Sequence, residues 1–81
     1  MYGWCKLIND DEKQIEVAYS LGKNNSCDGK LIFDKKTKEV TIAKLATDSE
    51  EVLTKAFICP LRCRMYRKGL IPDKLTMIMT G

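Results

Sequence analysis

Apolar residues recur at every second position through the first half of the chain and then change to a spacing of three and four. Period two marks strands and the longer spacing marks a helix. Tyr2, Trp4 and Ile8 fall on one side of an extended segment and Cys5 and Leu7 on the other, until Asn9-Asp10-Asp11-Glu12-Lys13 breaks the alternation with a polar turn. Ile15, Val17, Tyr19 and Leu21 then alternate with Gln14, Glu16 and Ser20, the pattern of a strand with one wet face. Gly22 to Gly29 is rich in residues that tolerate positive φ or bond their own backbone, so it reads as a connecting loop. Lys30 to Phe33 and Glu39 to Leu45 are β-rich, and Asp34 to Lys38 between them has hairpin length.

The helical part begins at Thr47-Asp48-Ser49-Glu50, where a hydroxyl stands three residues before a carboxylate; Asp48 and Glu51 repeat that capping-box geometry one residue later. Val52, Ala56, Cys59, Cys63 and Tyr66 then form an apolar stripe, flanked by Leu53 and Phe57, which predicts the face laid on the sheet. Arg62, Arg64, Arg67 and Lys68 crowd the last turns, where cations complement the helix dipole, and Gly69 suits the position just past the end. Pro60 interrupts the helix, since it has no amide donor and its ring crowds the carbonyl of Ala56; it predicts a kink or two short helices between about Asp48 and Lys68. Lys74 to Thr80 is a last short strand after the link Leu70-Ile71-Pro72-Asp73.

These elements define an α+β fold of order ββββαβ. The expected architecture is a mostly antiparallel sheet of four or five strands, with strands one to four as consecutive neighbours and the kinked helix on one face. The last strand returns to an edge or into the middle. With 81 residues, one domain spanning 1 to 81 and a single thin core are expected.

Composition narrows the chemistry more than it names it. There is no histidine, which removes the commonest general acid or base and a common metal ligand, so no catalytic residue and no cofactor are assigned. A net charge of +3 is mild beside domains built chiefly to hold phosphate backbones. No apolar run is long enough to span a bilayer, and the first residues lack the basic and apolar regions of a secretory signal; a soluble cytoplasmic protein with reduced thiols is expected. Asn24-Asn25-Ser26 is then a turn rather than a glycosylation site.

Cys59 and Cys63, four apart on the helix, face the same way and with Cys5 and Cys27 offer thiols for a metal or redox site. Their place on the apolar stripe favours buried structural thiols instead. The same string superficially resembles the CxxxCxxC motif that holds the cluster of radical SAM enzymes, but Tyr66 stands where the third cysteine belongs, and the resemblance is rejected. Gly22 to Gly29 lacks the terminal Gly-Lys-Ser/Thr of a phosphate loop, and Asn9 to Glu12 lacks the ligand spacing of a calcium loop. Met77 and Met79 share one face of the last strand, making it a candidate for edge pairing.

The expected function is a small intracellular binding or protein-interaction module. Its partner is another protein or a second copy paired through a sheet edge, with apolar residues such as Cys5, Leu7, Ile32 or Ile78 exposed on the second sheet face. One alternative is a nucleic-acid-associated domain using Arg62, Arg64, Arg67 and Lys68 as an anion surface, with Trp4 or Tyr66 as a stacking plane. Another is a thiol-based metal or redox protein using Cys59 and Cys63.

Overall fold

Two polar turns set the register of the sheet. In the computed structural model, which describes residues 2–47 and 49–79, the carboxylate of Asp11 accepts the backbone amides of Lys13 and Gln14, each at 2.8 Å. That closes the hairpin between β1 (Tyr2–Asp10) and β2 (Gln14–Leu21). Asp34 does the same for β3 (Gly29–Asp34) and β4 (Val40–Lys44), accepting the amides of Lys36 at 2.8 Å and Thr37 at 2.9 Å. These are Asx turns, in which a short acidic side chain takes over backbone amides that the tight turn leaves unpaired. Both carboxyls are held below their ordinary range, chiefly by those amides.

The strands form one antiparallel sheet of order β4-β3-β2-β1-β5, with β5 (Thr76–Met79) at the edge beside β1. The helix α1 (Glu51–Tyr66) follows β4 and covers one face. The α+β class and the ββββαβ order read from the sequence are those observed. A register shift between Leu7 and Asn9 places Ile8 in a bulge. There the amide of Leu7 leaves the ladder pattern and donates to the carbonyl of Pro72 at 2.7 Å, so the link to β5 runs along the outer side of β1.

Four expectations are corrected. First, α1 turns a different face to the sheet: Thr54, Phe57, Leu61 and Met65 are buried, while Val52 is 74% exposed and Ala56 and Cys59 are exposed as well. Phe57, Leu61 and Met65 carry far more apolar area than the small residues of the expected stripe, and burial follows area. Second, Cys5 and Ile78 lie on the covered face and are buried, and Leu7, on the same side of β1 opposite Val17, packs against the core, so none of the three belongs to the second face. Third, of the two outcomes expected at Pro60, a kink or two short helices, the division into two does not occur: the helix continues from Glu51 to Tyr66 with Phe57 and Leu61 anchored on either side of the proline. Fourth, the N-cap is Glu50, with no side-chain cap bond. Thr47 is turned away to Asp28, whose carboxylate accepts its hydroxyl and its amide. The second capping pair depends on Asp48, which lies outside the described residues.

The core joins Cys5, Ile15, Val17, Tyr19, Leu31 and Phe33 of the sheet to Phe57, Leu61 and Met65 of the helix. Tyr19 stacks on Phe57 with ring centroids 6.2 Å apart. Its buried hydroxyl is fully used: it accepts the amide of Ala46 at 3.1 Å and meets the hydroxyl of Thr54 at 3.1 Å. The Thr54 hydroxyl in turn donates to the carbonyl of Glu50 at 2.9 Å. A chain of satisfied polar groups thus ties β2, the β4–α1 link and the start of α1 together inside an apolar layer. Above Gly3, the ring of Phe57 sits so close that a Cβ there would lie 2.6 Å from its Cε1 atom.

Candidate functional site

α1 leaves a groove on each side where its C-terminal half meets the sheet. On the β5 side a cavity of about 290 Å³ is lined by Pro60, Cys63, Arg64, Lys68 and Met77 to Met79. On the hairpin side one of about 410 Å³ is lined by Lys38, Cys59, Arg62, Cys63, Tyr66 and Arg67. The sequence-predicted basic group is therefore divided, with Arg62 and Arg67 on one flank and Arg64 and Lys68 on the other. The helical turn of about 100° per residue makes this separation unavoidable.

The β5 groove runs beside the last strand of the sheet. Thr76 to Met79 contains no charged residue, Met77 is 46% exposed and Met79 72%. On the face of the sheet away from the helix, Tyr2 pairs with Met79 and Trp4 with Met77, a cross-strand cluster of four large apolar side chains. Ile32 lies on the same face, half-buried. Farther along, the loop 22–29 folds over this face: the Ser20 hydroxyl donates to the carbonyl of Asn24 and accepts the amide of Cys27 at 3.2 Å. Two donors near β5, Trp4 Nε1 and Arg64 Nε, are buried without a partner among the described residues.

The hairpin groove has a different make-up. Lys38, Arg62 and Arg67 are exposed, and the Lys38 ammonium stands 5.6 Å from the centre of the Tyr66 ring. Phe33 packs against Tyr66 with centroids 6.4 Å apart, so the ring is engaged from within the protein and is not the free stacking plane expected. Burial pushes the Tyr66 hydroxyl above its ordinary range, opposed by nearby Arg62. Lys38 was missed in the sequence reading; only its place at the end of a turn rich in lysine hinted at it.

All four cysteines are free. Cys59 is exposed and Cys63 half-buried, which overturns their expected burial and follows from the rotated helix face. Cys5 is buried, and desolvation, aided by nearby Cys27, pushes its thiol up to about 12 against a smaller opposing pull from Arg64. Among the described residues no group of three Cys, Asp or Glu side chains is gathered to hold a metal ion. No helix among them is long and apolar enough to cross a membrane. The chain matches no family model, no curated protein and no solved structure.

Proposed function

We propose that the protein is a non-catalytic interaction module that takes up an extended, acidic segment of another protein by strand addition at the free edge of β5. The observation that carries this reading is an edge strand without a single charge lying beside a cationic groove. Exposed edges are usually blunted by charge, proline or a covering element, because their open amides and carbonyls pair with any extended chain. An added strand gains main-chain hydrogen bonds from β5 and alternate side-chain contacts from its two sides. On one side it meets Met77, Met79, Trp4 and Tyr2; on the other it meets Arg64, with its unpartnered Nε, and Lys68.

Charge favours another protein over a second copy. Antiparallel pairing of β5 with its own copy would place both helices on one face of a continuous sheet, with Arg64 and Lys68 of each set beside those of the other. Like charges brought together destabilise such an interface. A reducing, cytoplasmic setting, in which cysteines stay as thiols, belongs to this reading.

The test is an amide NMR titration with a peptide alternating valine and glutamate, beside the same peptide N-methylated at alternate residues. The expected result is saturable shifts at residues 76–79 and at Arg64 and Lys68, lost with the N-methylated peptide. Equal shifts with both peptides, or none at β5, would refute strand addition. Light scattering that finds a dimer protecting the β5 amides would replace the acidic partner by a second copy.

A further inference from the structure

We propose that the opposite flank is a phosphate-binding site, in which Lys38, Arg62 and Arg67 close around a single phosphate group. The inference is independent of the strand-addition reading, since the two grooves share only Cys63 among their lining residues.

Three cations from two separate elements line one groove of about 410 Å³, and no acidic residue lines it with them. Three lysines are in ion pairs among the described residues, Lys30–Glu16, Lys35–Asp10 and Lys55–Glu51, and Lys38, Arg62 and Arg67 are among the basic residues that are in none; what sets these three apart is that they line one groove together. One carboxylate, that of Asp34, acts on Tyr66 from outside the groove lining; it stays ionised, its Oδ1 held by the amides of Lys36 and Thr37, and its single charge is fewer than the three positive ones. Three like charges with no acidic residue lining the groove beside them repel one another, and an anion shared between them relieves that repulsion.

Lys38 gives the second argument. Its φ is 62°, a left-handed conformation that glycine or asparagine adopts at lower cost than lysine. The turn is closed by the Lys38 amide, which donates to the carbonyl of Asp34 at 2.8 Å. Turn geometry alone would be met more cheaply by glycine, so lysine carries a backbone cost at this position, and such costs are found where a side chain has a role. That work is to hold an ammonium over the Tyr66 ring at the mouth of the groove. Tyr66 adds a hydroxyl that is unpartnered among the described residues.

Three cations and a hydroxyl fit the charge and the several oxygens of a phosphate better than a carboxylate, which one arginine satisfies. Because Tyr66 lies between Lys38 and Phe33, base stacking is not part of the site. The phosphate can belong to a free phosphorylated small molecule or to a nucleic-acid strand, and the binding profile separates these sources.

The experiment is calorimetry and amide NMR on the full chain with inorganic pyrophosphate and, in parallel, with a short oligothymidylate. Saturable binding of pyrophosphate with shifts at Lys38, Arg62, Tyr66 and Arg67 is expected. Tighter binding of the oligonucleotide with a steep salt dependence identifies a strand, and weaker binding identifies a small phosphorylated ligand. Arg62→Gln with Arg67→Gln should weaken pyrophosphate at least roughly tenfold, the effect of losing a charge-assisted contact. Arg64→Gln with Lys68→Gln removes the same formal charge and should change affinity less than about twofold if contacts at the site decide it. Lys38→Asn should weaken binding several-fold while raising the melting temperature, since asparagine tolerates the left-handed turn. No saturation at millimolar pyrophosphate, or equal losses in the two double variants, would overturn the site.

Discussion

The two flanks of α1 begin from the same residue types, arginine and lysine beside a strand at the end of the sheet, yet they present opposite problems to a partner. The hairpin flank is crowded with charge: Lys35, Lys36 and Lys38 lie in its turn and Lys44 ends β4. Charges so placed discourage further strand pairing at that edge and leave a groove whose attraction is electrostatic. The β5 flank carries its cations on the helix alone, while Thr76 to Met79 is uncharged. The comparison teaches that placement, rather than number, of cations separates a surface that repels another strand from one that accepts it.

The largest effect should come from removing what both flanks stand on. Phe57→Ala empties a fully buried site beneath α1 and should cost about 3 to 5 kcal/mol, a large part of the stability of any small domain. Guanidinium denaturation would show it, and a loss near zero would mean the helix packs otherwise. Next in size, Met77→Lys with Met79→Lys should abolish peptide addition at β5 by more than roughly tenfold, leaving stability within about 1 kcal/mol and pyrophosphate binding unaltered. A parallel loss at the hairpin groove would erase the distinction between the flanks.

Thiols sharpen the comparison further. At mild alkaline pH iodoacetamide should label exposed Cys59 on the hairpin flank first and buried Cys5 last, as read by peptide mass spectrometry. The sign for stability follows from the Cys5 thiol, raised from 9.0 to about 12 by burial. Below pH 9 the thiol is neutral folded or unfolded, so stability is unaffected; from about 9 to 12 the unfolded thiol ionises first and stability falls. Cys5→Ala should flatten that alkaline limb in urea midpoints measured across the range. The smallest effect is expected at the far end of α1, where Glu50 caps without a side-chain bond. Glu50→Asp should add about 0.5 to 1 kcal/mol to stability and shift neither ligand's affinity.

Much of this fold was legible because a sheet face repeats simply. Ile15, Val17, Tyr19 and Leu21 face the helix, and the two turns lie where aspartate and polar residues cluster. The helix face was not legible in the same way, since two stripes compete along α1. Continuity favoured Val52, Ala56, Cys59 and Cys63, but Phe57, Leu61 and Met65 bury more area. That rotation decides where every arginine points, so the basic group was visible in the sequence while its division between two grooves was not. Lys38 was obscure for another reason. Its role depends on a left-handed backbone and on a contact with Tyr66, both products of the tertiary fold.

The close approach of Phe57 to Gly3 has a consequence on an evolutionary scale. With no room for even a methyl group at residue 3, a lineage that enlarges that position must shrink residue 57 or tilt the helix away from the sheet. The two sites, 54 residues apart in the chain, should therefore drift as a linked pair. Diverged descendants that keep the phenylalanine should keep the glycine.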